Sequence, residues 1–362
     1  MSKSEIRKDY LLNKYVIITP GRIKRPRDIK EETIVSRTSP CPFCPENIEK
    51  KNVVDVISAK AKVHNLSNMS PSWIPGSGPK MTKTKFSDIL KKDDWRVLAI
   101  KNIFPAVSLD NSKAYGTQEV IIETPDHVKD LAELSAERIE QVLKMYARRT
   151  AALSKNSPRA FLSKNKGQGN IKTDGKVRGK KIDYILCFKN QGSKAGASIV
   201  HAHSQIFATA ITPPEILEEL NAAQNYQTEH KTCPYCDILK KELKSPRKIY
   251  EDKWIAAFTP YASQYHYEAW IFTKRHLDNI TKLNPAEFAA FAKALKKILA
   301  KLQGLDLSFN YFLHQVVSAP DQHFYLKIQP RASVWAGVEL GSGLVINSVA
   351  PEEAAFYYRK NS

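Results

Sequence analysis

Short runs of alternating or continuous apolar residues are separated along the chain by longer stretches with a helical repeat, and the whole order occurs twice. Glu119 to His127 (EVIIETPDH) and Glu268 to His276 (EAWIFTKRH) are both nine residues long. They share Glu at the first position, Ile and Thr at matched places, and His at the last. Runs this rich in β-branched and aromatic residues predict strands that stop at their histidines. The correspondence continues beyond them: Leu131 matches Ile280, Leu134 matches Leu283, and the candidate helix caps Ser135 and Asn284 fall at the same offset. After Asn284, Pro285 suits a first helical position and Glu287 completes a capping box. Phe288, Phe291, Leu295, Ile298 and Leu302 then mark one helical face, with Gly304 as a natural stop. After Ser135 the equivalent stripe is Ile139, Val142, Leu143 and Tyr146.

Each predicted helix leads into a strand, IDYILCF in the first half and FNYFLH in the second. A second run containing a histidine follows in each case, HAHSQIFATA and HFYLKIQP. Each half thus reads CxxC, strands, His, helix, strand, His, strand. The expected fold class is α+β: a duplicated unit with antiparallel sheets and one principal helix per half. The stretch TPPEILEELNAAQNYQTEHK reads as a connecting helix, so the expected domains are residues 1–212 and 213–362.

Composition narrows the picture. The 362 residues include 42% hydrophobic and 26% charged, an ordinary globular balance. No apolar run reaches membrane-spanning length, and MSKSEIRKDYLLNKY carries no secretory hydrophobic segment, so no membrane partner and a cytoplasmic location are expected. The net charge of +19 suggests an anionic partner. The lysines are spread widely, however, and their local crowding at SKNKGQGNIKTDGKVRGKK (within residues 155–181) reads as a solvated loop. Phosphorylated metabolites or nucleotides are therefore expected ahead of nucleic acid.

Four of the five cysteines form two pairs, CPFC (Cys41, Cys44) and CPYC (Cys233, Cys236); Cys187 stands alone in an apolar run and reads as a small buried hydrophobe. Such a pair is a redox motif in one context and a metal clamp in another. The duplication favours metal, because each pair is followed by one histidine at a strand end and another at a strand start. Two thiolates and two imidazoles suit a tetrahedral zinc ion. The expected ligand sets are Cys41, Cys44, His127 and His201, then Cys233, Cys236, His276 and His323. A redox pair would explain the thiols and leave the matched histidines unexplained. His64, His230, His266 and His314 have no matched partner and read as ordinary structural histidines.

The halves diverge just after the second histidine. His201 matches His323, but His203 and Gln205 stand where the second half has Tyr325 and Lys327. Alternate strand residues face the same way, so His201, His203 and Gln205 form one row. One imidazole is a ligand and the next is free to act as a nucleophile on an α-phosphate, beside an amide able to hydrogen-bond phosphate oxygens. The bland alternative is a histidine satisfied within a sheet. The preceding loop, FKNQGSKAGAS, has two glycines that allow close backbone approach to an anion, with Asn190 and Ser198 as donors.

FKNQGSKAGASIVHAHSQIFA resembles the active-site segment of galactose-1-phosphate uridylyltransferases and their relatives in the histidine-triad superfamily. GRIKRPRD, CPFCPEN, KNIFPAV and VELGSGLVINSVAPEEAA resemble further family segments, the last one that of the branch containing ADP-glucose phosphorylase. The resemblance covers nearly the whole chain. It implies two tandem histidine-triad-like halves with two structural zinc ions, and suggests a homodimer. It also implies a double displacement in which His203 takes up a nucleotidyl group from an NDP-sugar and Gln205 stabilises the transferred phosphoryl. Asn190 and Ser198 match positions near the nucleotide phosphates, Asn102 one near the nucleoside, and Arg22 and Arg25 a phosphate-binding basic motif. Some positions depart from the family pattern: HAH replaces HPH, Ala197 replaces a cysteine found in some transferases, and Glu46 stands where Gly is frequent. The expected activity is UDP-glucose–galactose-1-phosphate uridylyltransfer. Alternatives are a phosphorylase of NDP-sugars or dinucleotides using inorganic phosphate, a non-catalytic nucleotide- or nucleic-acid-binding protein, and a thiol-disulfide oxidoreductase.

Overall fold

The computed structural model of the protein describes residues 4–20, 40–58, 95–155, 181–317, 319 and 322–360. Two short strands come first, β1 (Glu5–Lys8) and β2 (Tyr15–Ile18). The first half then contains β3 (Val53–Ser58), β4 (Trp95–Lys101), β5 (Gly116–Ile122), helix α1 (Ala136–Ser154), β6 (Tyr184–Gln191) and β7 (His203–Thr209). Helix α2 (Pro214–His230) is the predicted connector, and α3 (Pro234–Glu242) starts inside the second CxxC. The second half follows with β8 (Lys248–Glu251), β9 (Ile255–Phe258), β10 (Ala269–Thr273), α4 (Pro285–Gln303), β11 (Phe309–His314) and β12 (Tyr325–Pro330). The chain then forms α5 (Gly337–Ser342), β13 (Val345–Asn347) and α6 (Pro351–Arg359).

Both predicted caps hold their helices. Ser135 Oγ accepts the Arg138 backbone N–H, and Asn284 and Glu287 close a reciprocal capping box. Both principal helices are 19 residues long, and every residue of the two apolar stripes is buried.

Ten strands form one antiparallel sheet in the order β3-β4-β5-β7-β6-β11-β12-β10-β9-β8. The two halves meet at β6 and β11, where Asn190 lies opposite Asn310. One face of the sheet carries α1 and α4 over a continuous core that includes Val97, Ile121, Ile206, Ile271 and Leu326. Strand alternation sends the intervening residues to the other face. In the first half Leu98, Ile100, Val120 and Ile122 pack there with Phe43; in the second half Phe258, Trp270, Phe272 and Tyr325 pack there under α2 and α3. A separate small sheet pairs β2 antiparallel to β1 and parallel to β13, tying residues 5–18 to residues 345–347. The sequence patterns gave no sign of this pairing.

His314, which had read as an ordinary histidine, belongs to a buried charged triad. Its Nε2 and the Lys327 ammonium both bond the Glu219 carboxylate of α2, the latter at 3.2 Å. Burial pushes the Glu219 pKa up, but the charges of His314 and Lys327 outweigh it and hold the group well below the usual carboxylate range. Breaking one member of a buried ionic cluster leaves uncompensated charge, at a cost of about 3–5 kcal/mol. We expect Glu219→Ala to lose stability on that scale in urea unfolding. A loss under about 1 kcal/mol would show that the triad does not hold the connector.

Candidate active site and metal centres

Each CxxC lies against the sheet face opposite the principal helices. Phe43, inside the first knuckle, is buried among Leu98, Val120 and Ile122 and so anchors Cys41 and Cys44 to that face. His127 comes from the turn after β5 and His201 from the residues entering β7. His201 precedes β7 and does not form part of it, yet its ring is fully buried. Its Nε2 lies 2.8 Å from the Thr124 carbonyl, which can only accept, so that nitrogen carries the proton and Nδ1 has the lone pair. Nδ1 faces Cys41 Sγ at 3.7 Å and Cys44 Sγ at 3.8 Å, while His127 Nδ1 lies 3.4 Å from Cys44 Sγ.

The second half repeats this arrangement. His323 Nε2 bonds the Thr273 carbonyl at 2.7 Å, and its Nδ1 faces Cys236 Sγ at 3.5 Å, with His276 Nδ1 at 3.4 Å from the same sulfur. In each cluster one ligand atom from each of the four residues lies within 4.8 Å of the others. A tetrahedral ion bonded at roughly 2.0–2.3 Å holds neighbouring sulfur and nitrogen atoms about 3.5 Å apart, so both sets are compatible with a bound metal ion. The carbonyl behind each buried imidazole fixes its tautomer, as metal-bound histidines require.

His203 opens β7, two residues after the metal cluster. Its Nδ1 lies 2.9 Å from the His201 carbonyl and therefore donates to it, which leaves the lone pair on Nε2. No hydrogen bond engages Nε2 among the described residues. Phe43 packs beside the ring with centroids 4.9 Å apart. Burial, reinforced by the charge of Lys189, pushes the His203 pKa down to about 4, so the ring is neutral near pH 7. Ser204 points to the opposite face, where its hydroxyl accepts from Tyr146 at 2.6 Å. The expected separation of the His203/Gln205 row from its neighbours is therefore present.

The amides beside this row are oriented by their own partners. Gln118 Nε2 donates to Gln205 Oε1 at 2.8 Å, leaving the Gln205 amino group as a donor. Asn310 Nδ2 donates to Asn190 Oδ1 at 2.8 Å, leaving the Asn190 amino group likewise. Phe188 pairs with Gln205, so Asn190, two residues along β6, shares the face of that row. After β6, Gly192 at φ 79° and Gly196 at φ 83° bend the loop back through left-handed conformations, and a side chain at 192 would collide with Ser308. Ser198 lies exposed on the outgoing limb of that loop. Asn102 caps a turn by accepting the Phe104 N–H at 2.9 Å, and Gln118 Oε1 accepts the Ala106 N–H at 3.2 Å. Gln118 therefore links the 102–106 loop to Gln205. Arg22 and Arg25 lie outside the described residues, as do His64 and most of the basic stretch 155–181.

Phe43, Gln118 and a buried Lys189–Glu123 pair beneath the row escaped the sequence reading. Only Phe43 carried a signal, as the apolar residue inside a knuckle otherwise devoted to metal.

In the second half the equivalent row is closed. Tyr325 and Lys327 replace His203 and Gln205, and His314, opposite Tyr325, stacks on it at 4.4 Å beneath α2. Among the described residues one half alone thus presents a free imidazole beside oriented amides.

A duplicated antiparallel sheet with a Cys2His2 donor set leading into the His203–Gln205 row fits a nucleotidyltransferase of the galactose-1-phosphate uridylyltransferase type. The family described as "Galactose-1-phosphate uridyl transferase, N-terminal domain" matches residues 1–213, and the chain belongs to that family. It is 27% identical to ADP-glucose phosphorylase of Arabidopsis thaliana, over 99% of this chain and 93% of that one. It is 26% identical to galactose-1-phosphate uridylyltransferase of Thermotoga maritima, over 98% of each. The crystal structure of the Arabidopsis thaliana ADP-glucose phosphorylase with bound ADP-glucose superposes with a TM-score of 0.72 at 26% identity, covering 99% of this chain and 100% of the other.

Proposed function

We propose that the chain moves a nucleoside monophosphate from an NDP-sugar to a sugar 1-phosphate through a covalent nucleotidyl group on His203, with UDP-glucose and galactose 1-phosphate as the leading pair. The observation that carries this reading is the His203 ring, with Nδ1–H committed to a carbonyl and Nε2 left as an available lone pair. Nε2 attacks the α-phosphorus, a P–N bond forms, and the P–O bond to the sugar phosphate breaks with its electron pair leaving on oxygen. The ring becomes an imidazolium whose Nδ1–H stays hydrogen-bonded to the His201 carbonyl. A phosphate oxygen of the acceptor then reverses the step and regenerates the neutral ring. Little covalent help is needed beyond positioning and charge stabilisation. Gln205 and Asn190 supply donors to the phosphoryl oxygens, with Ser198, Arg22 and Arg25 on the adjoining phosphates and Asn102 near the nucleoside.

Two zinc ions belong to this reading, supported by the Cys2His2 donor sets. Their role would be structural: the four protein donors of each set would fill a tetrahedral ion's positions, and His201 would tie the first ion to the start of the nucleophile strand. The division into residues 1–212 and 213–362 is proposed on the same grounds, with the reacting row in the first unit. A homodimer acting in the cytoplasm completes the proposal, the latter supported by thiols used as metal ligands rather than as a disulfide framework. Among the described residues no helix is long and apolar enough to cross a membrane.

A second reading, an NDP-sugar phosphorylase with inorganic phosphate as acceptor, is favoured by the likeness to ADP-glucose phosphorylase along the whole chain. Turnover of UDP- and ADP-sugars with hexose 1-phosphate or with phosphate separates the two. We expect hexose 1-phosphate to support the faster exchange; turnover with phosphate alone would replace the transferase reading by the phosphorylase.

A further inference from the structure

The reverse face of the nucleophile strand carries an ion pair sealed from solvent. Lys189 of β6 and Glu123, just after β5, are 1% and 0% exposed and bond at 2.7 Å. The Lys189 ammonium also donates to the backbone carbonyl of His203 at 3.1 Å. Around them Tyr146 of α1 bonds Ser204 at 2.6 Å and Tyr311 of β11 at 2.7 Å, so α1, β7 and the second half all meet under the reacting residue.

The location has a physical reason. The β6–β7 ladder runs from Tyr184↔Thr209 to Phe188↔Gln205 and stops there, although β6 itself continues to Gln191 paired with β11. On its β6 side His203 stands beyond the last laddered pair, while on the other side it is still paired with Ile122 of β5, and its carbonyl is met by a side-chain donor. That backbone also sets the ring, since His203 Nδ1 is held by the carbonyl of His201, on the same short segment. A shift of a few tenths of an ångström there would turn Nε2 away from in-line attack, and misplacement of reacting groups by about 1 Å can cost roughly 100-fold in rate.

We infer that Lys189, held in place by Glu123, is a positioning residue for nucleotidyl transfer, fixing the His203 carbonyl on the side where the β6–β7 ladder has ended. Stability alone does not account for the pair, because buried ion pairs are often replaceable by apolar residues without loss of stability. The inference rests on His203 being the nucleophile.

The test compares the full-length wild type, the apolar pair Glu123→Leu/Lys189→Met, and the conservative Lys189→Arg. Each is mixed with NDP-sugar, and nucleotidyl-enzyme formation is followed in single turnovers across substrate concentrations, with melting temperature and zinc content measured alongside. We expect the apolar pair to melt within a few degrees of wild type and keep its zinc. It should form the adduct roughly 10–100-fold more slowly at saturation, with the half-saturating concentration unchanged. Lys189→Arg, which keeps a cationic donor, should recover part of that rate. A folded apolar pair reacting at the wild-type rate overturns the inference. So does a loss carried by the half-saturating concentration, or a failure of the apolar pair to fold, which would make these residues folding elements alone. Absence of an adduct in the wild type would instead remove the nucleophile assignment itself, so the two failures are distinguishable.

Discussion

His203→Ala is expected to fold, to bind its metal ions, and to lose nucleotidyl transfer by about 10⁴-fold or more. Removal of a covalent nucleophile has an effect of that order where no neighbouring group can substitute. Here none can: the metal clusters engage His127 and His201, and the nearest amides, Gln205 and Asn190, are not nucleophiles. The side chain is 7% exposed and packed by Phe43 rather than held in a buried salt bridge, so truncation leaves a small cavity without orphaning a charge. Steady-state exchange of label between an NDP-sugar and a sugar 1-phosphate measures the loss. Activity within about 10-fold of wild type would mean that the reacting group lies elsewhere.

The second large effect concerns the metal centres, which should not be equivalent. Cys44→Ala removes a proposed ligand whose sulfur lies 3.8 Å from the Nδ1 of His201, two residues before the proposed nucleophile. Losing that ion frees the segment that orients His203, so activity should fall by more than about 100-fold along with the melting temperature. Cys236→Ala disrupts the equivalent site in the second half, whose row ends in Tyr325 and Lys327 under α2. It should lower the melting temperature comparably while retaining much more of the per-molecule activity at low temperature. Metal analysis of both variants should give one zinc per chain against two in the wild type. Equal activity losses in the two would show that the first ion serves the fold in general and not the nucleophile strand.

The duplication was legible because both signals that announce it are local. The strand-end histidines and the caps Ser135 and Asn284 are read within a dozen residues, and both caps hold the predicted helices. The ligand sets followed from the repeat, since the same residue types recur at matched places across gaps of up to 160 residues. What stayed hidden is non-local and unrepeated. Glu123 meets Lys189 across 66 residues and Glu219 meets His314 across 95, with nothing in their local segments to pair them. Gln118 looked like one polar position of an alternating strand, and only the three-dimensional register sets it against Gln205. The pairing of β2 with β13 likewise depends on packing that neither segment reveals alone. Charge was the least informative signal: the net +19 is real, yet among the described residues the cation that bonds the nucleophile's backbone, Lys189, is single and buried.

The most direct measurement is intact-protein mass spectrometry of the wild type after brief exposure to an NDP-sugar without acceptor, followed by peptide mapping. The predicted result is a single added nucleoside monophosphate per chain, acid-labile, on the peptide containing HAHSQ and localised to His203, discharged by adding sugar 1-phosphate. An unmodified protein that nevertheless turns over, or an adduct on any other residue, would contradict it.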